Sequence, residues 1–427
     1  MAKTLQSEID KLVLAKVIPE HIASDIKLYY QSNADSSQNK LFVIFAILGA
    51  ILLGLGIILI LAHNWDDLST LTKTFLSFVP LLIGQFFCGY SILKKSKSIA
   101  WKEGSAVFLS FSIGACISLI AQVYHISGDF DSFMLTWCLL SLPLVYLLNS
   151  SIVSLLYIVG ITVYCCSTNF SSYARLDTNY WYFLLLVAVI PHYYRLLKNK
   201  QTSNFTLYHH YIVCISLLIC LSIFGENNHQ KAIKIAYVCL LAIFYFIGKQ
   251  TYFEKQPLKF NAYYLIGKLG TIFMLFIFSF KAYWNSSMHD IDNYVSFPQE
   301  IIVALLLFLV AMGLFIYKTK INRIQNLQVI EIVFLATAIF LFFGFTMHIV
   351  ANIFVLLIGI SEIKRGSSQD NLGILNYGLA IITLLIICRF FDSDFSFAIR
   401  GLLFIVVGVG FFLANYLMLK KRKANEK

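Results

Sequence analysis

Charged residues are scarce in this sequence. They make up 13% of its 427 residues, whereas hydrophobic residues make up 59%. The mean hydropathy is +0.76. A soluble globular domain has roughly 25% charged and roughly 45–50% apolar residues, so this composition excludes a soluble enzyme and a disordered protein. The six prolines and 22 glycines are too few for a collagenous or low-complexity chain.

Cysteine shows no sign of a disulfide framework. Nine cysteines are present, and all lie in apolar runs, where cysteine behaves as a small hydrophobic residue. The sequence lacks the CxxC and His–Cys spacings of metal sites, and the odd count does not suggest disulfide bonds. We therefore expect no cofactor.

Long apolar runs dominate the sequence. A membrane-spanning helix needs about 20 mostly apolar residues, because the hydrocarbon core is about 30 Å thick. Fourteen runs are candidate spans: 41–62, 74–93, 105–123, 133–148, 152–166, 181–197, 211–225, 232–248, 265–284, 301–317, 327–344, 348–363, 371–389 and 399–419. They predict an all-α, polytopic helical membrane protein with 14 transmembrane helices. Twelve is the alternative, because 133–148 and 152–166 could form one re-entrant hairpin and the break near 344–348 is short.

The distribution of lysine and arginine predicts the orientation. Short cytoplasmic loops collect these residues. With a cytoplasmic N-terminus, 25 of the 33 Lys and Arg residues fall in inner segments and seven in outer ones. We therefore expect both termini in the cytoplasm. The net charge of +11 follows from this asymmetry and does not indicate a nucleic-acid partner.

Four regions follow from these patterns. Residues 1–40 form a predicted cytoplasmic helical hairpin and linker, 41–166 an N-terminal membrane region, 167–419 a C-terminal membrane region and 420–427 a basic cytoplasmic tail. The hairpin either packs on the membrane or on itself, or docks a cytosolic partner. The tail anchors at lipid headgroups or binds a specific anionic lipid. Membrane lipids are thus the expected partners, and the oligomeric state is open.

Two predicted outer loops hold the polar residues that stand out. The first contains His63, Asn64, Trp65, Asp66 and Asp67, and the second contains Gln122, Tyr124, His125, Asp129 and Asp131. Interfacial tryptophan, helix capping and ordinary turns explain most of them. Because both loops lie on the same predicted face of the membrane, these residues are also candidates for ligand binding. Neither has a known metal-binding pattern, so we expect no metal and name no catalytic residue.

The same residues carry a family resemblance. The elements Leu61-Ala62-His63-Asn64-Trp65-Asp66 and Gln122-Val123-Tyr124-His125-Ile126-Ser127-Gly128, with Trp137 and the earlier Ile18-Pro19-Glu20, resemble the bacterial membrane-protein family catalogued as domain of unknown function 2157. The resemblance covers roughly residues 5–165. It implies a multi-pass protein of the bacterial inner (plasma) membrane. It also suggests that Asn64, Trp65, Gln122 and Tyr124 are important for structure or function. The family brings no established activity.

The predicted spans have no Asp, Glu, Lys or Arg near their middle. Lys268 lies near a span end, where its side chain can reach the interface. Glu331 is the fifth residue of its span, and no basic residue lies at helical spacing around it. Ionisable groups inside a bilayer mark functional sites by default. Their absence argues against a proton pump or a proton-coupled carrier.

Three functions remain open. A transporter or translocator of a lipid-linked or weakly polar envelope substrate is favoured, because the loops are too short to hold a catalytic domain. A membrane sensor or assembly subunit without catalysis is the alternative, with the hairpin as its docking element. An enzyme acting at the outer face, with Asp66, Asp67, Asp129 or His125, is the least favoured.

Overall fold

The fold is described from a computed structural model. It describes residues 9, 11–26, 44–49, 51–53, 55–56, 59, 68–170, 180–225, 230–285, 299–322, 327–343, 347–392, 401–402, 405, 408–410, 412 and 416. Within these residues the secondary structure is helical, and no strand occurs. The all-α class predicted from the sequence is therefore confirmed for this part of the chain.

Helices follow one another along the described residues. From Ile44 onward we number them α1 to α16. They are α1 (Ile44–Leu53), α2 (Thr70–Lys94), α3 (Ile99–Val123), α4 (Phe130–Leu147), α5 (Ser151–Phe170), α6 (Trp181–Val187), α7 (Ile190–Asn199), α8 (Asn204–Leu221), α9 (Gln230–Gly248), α10 (Thr251–Glu254), α11 (Ala262–Phe278), α12 (Lys281–Asn285), α13 (Gln299–Asn322), α14 (Val329–Phe342), α15 (Met347–Ser368) and α16 (Leu372–Asp392).

Eight helices of the described part are long and apolar enough to cross a membrane. Four shorter apolar helices accompany them, among them α1 and α14. The prediction of a helical membrane protein is thus confirmed, whereas the count of fourteen and the orientation stay predictions. Helices α4 and α5, with 18 and 20 residues, are each about as long as the hydrocarbon core is thick. Their lengths favour two crossings over one re-entrant hairpin.

One predicted span is interrupted. The run 181–197 was expected to form a single helix, but the structure has α6 and α7 separated by Ala188 and Val189. Pro191 lies in the first turn of α7. Proline has no backbone N–H and clashes with the preceding helical turn, so the first turn of a helix accommodates it best. The break therefore falls where Pro191 can lie in the first turn of a new helix.

The chain divides into two compact units, Met1–Lys200 and Gln201–Lys427. In the first unit, α3 packs between α2 and α4, and α4 packs on α5. Gly84 allows the close approach of α2 and α3, because a Cβ there would lie 3.1 Å from the Leu109 Cα atom. The Trp137 indole of α4 donates to the Ser110 carbonyl of α3 across 2.7 Å. A glycine thus lets α2 and α3 approach closely, and a hydrogen bond links α3 to α4.

In the second unit, α9 lies in the centre and packs against α11, α13 and α14. Nearly all of its residues from Ala236 to Phe246 are buried. Helix α15 packs along α16, where a Cβ on Gly366 would lie 2.4 Å from the Leu375 nitrogen and one on Gly378 2.7 Å from the Ile363 nitrogen. Two glycines therefore let the α15 and α16 backbones meet.

Candidate functional site

An apolar groove lies between α1, α2 and α3 in the first unit. Its volume is about 510 Å³, which is within the usual range of small-molecule sites. Two glycines leave space at the base of the groove. A Cβ on Gly104 would meet only the Ala46 carbonyl oxygen, at 3.9 Å, and one on Gly49 would meet nothing within 4 Å. The lining consists of Ala46, Gly49, Leu53, Ile83, Phe87, Ala100, Trp101, Gly104, Ser105 and Phe108.

Aromatic rings form one wall of the groove. The Phe87 ring lies edge-on to the rings of Trp101 and Phe108, with centroid distances of 6.5 and 6.2 Å. Ser105 has the one hydroxyl group in the lining, and it donates to the Trp101 carbonyl across 2.6 Å. Because that donor is already used, the groove offers a bound molecule mainly van der Waals contact.

Glu103 lies beside the groove but faces away from it. The side chain is buried, and one carboxylate oxygen accepts from the Ser151 nitrogen across 2.8 Å. The other oxygen accepts from the Ser150 hydroxyl across 2.5 Å and from the Ile152 nitrogen across 3.0 Å. These groups begin α5, whose first N–H groups lack partners within the helix. A carboxylate from α3 therefore caps α5.

Sequence analysis did not predict this role for Glu103. It began the third span at residue 105 and left Glu103 in the preceding loop, whereas the structure begins α3 at Ile99. A hydropathy window treats a carboxylate as unfavourable in a span, because it has no information about donors from another helix. The signal that could have revealed the cap is the Ser150-Ser151 pair, since serine is preferred at helix starts.

The predicted ligand residues of the first outer loop, His63, Asn64, Trp65, Asp66 and Asp67, lie outside the described residues. Their convergence with the second loop therefore stays a prediction.

In the second predicted outer loop, Gln122 belongs to the last turn of α3 and Tyr124 follows it. The Tyr124 hydroxyl lies 3.0 Å from that of Thr74 on α2. His125 has a φ of 51°, in the left-handed region that a turn requires. Capping and turn formation thus occupy part of this segment.

Asp129 and Asp131 lie where the next helix starts. Asp129 precedes the first residue of α4, and Asp131 is in its first turn and buried. A carboxylate near a helix N-terminus is favoured by the helix dipole. Among the residues that the structure describes, no group of three or more His, Cys, Asp or Glu side chains could hold a metal ion.

The second unit contains buried ion pairs that sequence analysis missed. The Lys268 ammonium on α11 lies 2.9 Å from a Glu362 carboxylate oxygen on α15, and the two side chains are only 8% and 6% exposed. Arg365 pairs with the other Glu362 oxygen at 2.8 Å. Lys268 also lies over the Tyr377 ring of α16, 4.3 Å from its centroid. Lys268 was expected to reach the interface, but it joins three helices instead.

Glu331 has a basic partner from a different helix. It is fully buried and pairs with Lys318 of α13. The Tyr245 hydroxyl of α9 donates to Gln328 across 2.8 Å and lies 3.3 Å from a Glu331 oxygen. Gln328 and Glu331 also form the reciprocal cap that begins α14. A search at helical spacing within one span could not find Lys318.

Comparison with known proteins gives one match. Residues 10–154 match the model of a family described as "Predicted membrane protein (DUF2157)". The resemblance predicted from the sequence is confirmed over these residues, which are about a third of the chain. All residues of the groove lie inside the matched segment. No curated protein and no solved structure matches the chain.

Proposed function

We propose that the protein transports or translocates a lipid-linked or weakly polar envelope substrate across the bacterial inner membrane. The apolar groove carries this proposal. Two of its three helices, α2 and α3, are long and apolar enough to cross a membrane, and its rim residues Leu53, Ile83 and Trp101 are exposed. In a bilayer such a rim faces lipid, so a hydrocarbon chain can enter the groove from the side.

The chemistry of the lining supports an apolar ligand. The Ser105 hydroxyl is already bonded within α3, and the Trp101 indole is the other side-chain donor in the lining, so a strongly polar solute would lose its water and gain few partners there. Burying an unpaired polar group costs roughly 1–3 kcal/mol by mutational measures. The groove therefore suits a hydrocarbon chain, and the polar part of the substrate stays outside it.

The buried ion pairs of the second unit bear on one argument made from the sequence. Glu103, Glu331 and Glu362 all lie inside helices and are buried. All three lie toward a helix end, so the absence of ionisable groups near the middle of the predicted spans still argues against a proton-coupled carrier. Each carboxylate has a basic or N–H partner, so its first role is to hold helices together.

A lipid-translocation assay tests the proposal. The purified full chain is reconstituted into vesicles that contain an NBD-labelled diacyl lipid or an NBD-labelled isoprenyl lipid, and dithionite quenching reports movement between leaflets. We expect the parent protein to accelerate quenching. Gly104→Leu should abolish the acceleration, because the leucine side chain fills the groove.

Gly89→Leu is the matched control. Gly89 lies on α2, outside the groove lining, and a Cβ there would meet nothing within 4 Å. It adds the same side chain to the same unit. Equal rates for parent, Gly104→Leu and empty vesicles with both lipids would contradict translocation and favour a sensor or assembly subunit.

A further inference from the structure

The groove alone cannot select a substrate. Lipid tails are as apolar as the side chains that line it, so a hydrocarbon chain gains no hydrophobic free energy by leaving the bilayer for the groove. Close packing against the Phe87, Trp101 and Phe108 rings adds contact but distinguishes one chain poorly from another. Selectivity must therefore come from groups at the end of the groove.

A basic turn lies at one end of the groove. Helix α2 ends at Lys94 and α3 begins at Ile99, and the segment between them contains Lys95 and Lys97. Lys94, Lys95 and Lys97 are exposed. Within the described part of the chain, the three ammonium groups have no acidic partner. Their charge is therefore available to a ligand.

The helix geometry aligns this turn with the groove. Ile83, Phe87 and Lys94 lie along one stripe of α2, because steps of four and seven residues return to nearly the same face. Lys94 lies about 10 Å beyond Phe87 along the helix axis. Trp101 lies beside the part of α2 between Phe87 and Lys94. The centroid of its ring is 6.5 Å from that of Phe87 and 5.2 Å from that of Tyr90. A chain in the groove would thus place its head group near the lysines.

Glu103, the acidic residue nearest to the turn in sequence, does not compete for this charge. Its carboxylate is buried and accepts three hydrogen bonds from the start of α5. The end of the groove therefore combines an apolar slot with uncompensated positive charge. That pairing matches a lipid whose phosphate head group has a net negative charge.

We propose that the groove binds an anionic lipid, with its hydrocarbon chain between α1, α2 and α3 and its phosphate head group on Lys94, Lys95 and Lys97. This inference rests on the proposed function, because it names the class of the substrate that enters the groove. The phosphate belongs to a lipid and not to free phosphate, since the slot beside the lysines is apolar.

Native mass spectrometry of the purified full chain tests the inference. The protein is titrated with phosphatidylglycerol and with phosphatidylcholine that have the same acyl chains. We expect the parent to prefer phosphatidylglycerol. A lysine near a membrane surface strengthens anionic lipid binding roughly fivefold, so the Lys94→Gln, Lys95→Gln, Lys97→Gln triple variant should weaken phosphatidylglycerol binding on the order of a hundredfold.

A triple variant of equal charge is the control. Lys255, Lys259 and Lys364 are exposed and lie on the same predicted face of the membrane, far from the groove in sequence. Their replacement by Gln should leave the preference intact. Equal binding of the two lipids by the parent would overturn the inference, and so would equal losses in the two triple variants.

Two further arms identify the source of the phosphate and separate this inference from translocation. Displacement of phosphatidylglycerol by inorganic phosphate would overturn the assignment to a lipid, whereas unchanged lipid binding supports it. Selective lipid binding without NBD-lipid movement would refute transport and retain the head-group site. Groove-dependent movement of lipids without head-group preference would retain transport and refute the site.

Discussion

The Ser150 hydroxyl donates to the Glu103 carboxylate across 2.5 Å, although the two residues are 47 positions apart in the sequence. This bond ties α3, which lines the groove, to the start of α5. The same carboxylate accepts from the backbone nitrogens of Ser151 and Ile152. The position of Gly104 and Trp101 in the groove therefore depends on an anchor on the opposite side of α3.

Replacing Glu103 should destabilise the first unit. Glu103→Ala leaves the Ser150 hydroxyl and two N–H groups without an acceptor, and hydrogen bonds to a charged group contribute about 1.5–3 kcal/mol each. We expect a clear fall in the melting temperature of the detergent-purified protein. Glu254→Ala removes an exposed carboxylate on α10 and should leave the melting temperature unchanged. Equal shifts in the two variants would contradict the anchoring role.

The Lys268–Glu362 pair should show strong energetic coupling. Breaking a buried ion pair by removing one partner costs about 3–5 kcal/mol, whereas replacing both partners with apolar residues is often neutral. Glu362→Leu alone should therefore lower the melting temperature more than Lys268→Leu and Glu362→Leu together. A double-mutant cycle on thermal unfolding measures the difference. Additive effects of the two substitutions would show that the pair contributes nothing.

Two glycines should be intolerant of alanine. A Cβ on Gly366 or Gly378 would clash with backbone nitrogens of the facing helix, at 2.4 and 2.7 Å, and overpacking costs about 1–3 kcal/mol. Gly313 is the control, because a Cβ there meets nothing within 4 Å. Gly313→Ala should be neutral or stabilising, since alanine favours helix by about 1 kcal/mol. Thermal unfolding of the three variants measures the difference. Equal melting temperatures would contradict the close contact between α15 and α16.

The predicted orientation places the basic turn in the cytoplasm. Ser96 and His125 are both exposed and lie at opposite ends of α3, so cysteines introduced there should react from opposite sides. A membrane-impermeant maleimide added to intact cells should label His125→Cys and spare Ser96→Cys. The parent chain is the control, because its nine cysteines are buried or partly buried. Labelling of Ser96→Cys alone would reverse the topology.

The sequence was informative about helices and poor at finding partners between them. Apolar runs predicted where helices form in the described part of the chain, because hydropathy is a local property. Pro191 was an available signal for the break between α6 and α7. The partners Lys318 and Glu331, or Lys268 and Glu362, come from different helices. Spacing along the chain does not encode which helices become neighbours, so these pairs needed the structure.

The groove could not be predicted from the sequence either. Glycines in apolar runs are usually explained by close helix packing, yet a Cβ on Gly49 would meet nothing within 4 Å and one on Gly104 would meet only the Ala46 carbonyl oxygen, at 3.9 Å. Sequence analysis instead assigned ligand binding to the outer loops. Ligand binding by both loops stays a prediction, and His63 to Asp67 lie outside the described residues.

Mapping where a lipid chain contacts the protein tests the central claim most directly. A phosphatidylglycerol with a diazirine in its acyl chain is photolysed with the reconstituted protein, and the labelled peptides are identified. The account predicts labelling concentrated at residues 46–53, 83–87 and 100–108 of the parent, and its loss in Gly104→Leu but not in Gly89→Leu. The exposed apolar face of α13, with Leu305 and Leu309, serves as an internal reference. Labelling of the groove no stronger than that of α13, and unchanged in Gly104→Leu, would contradict it.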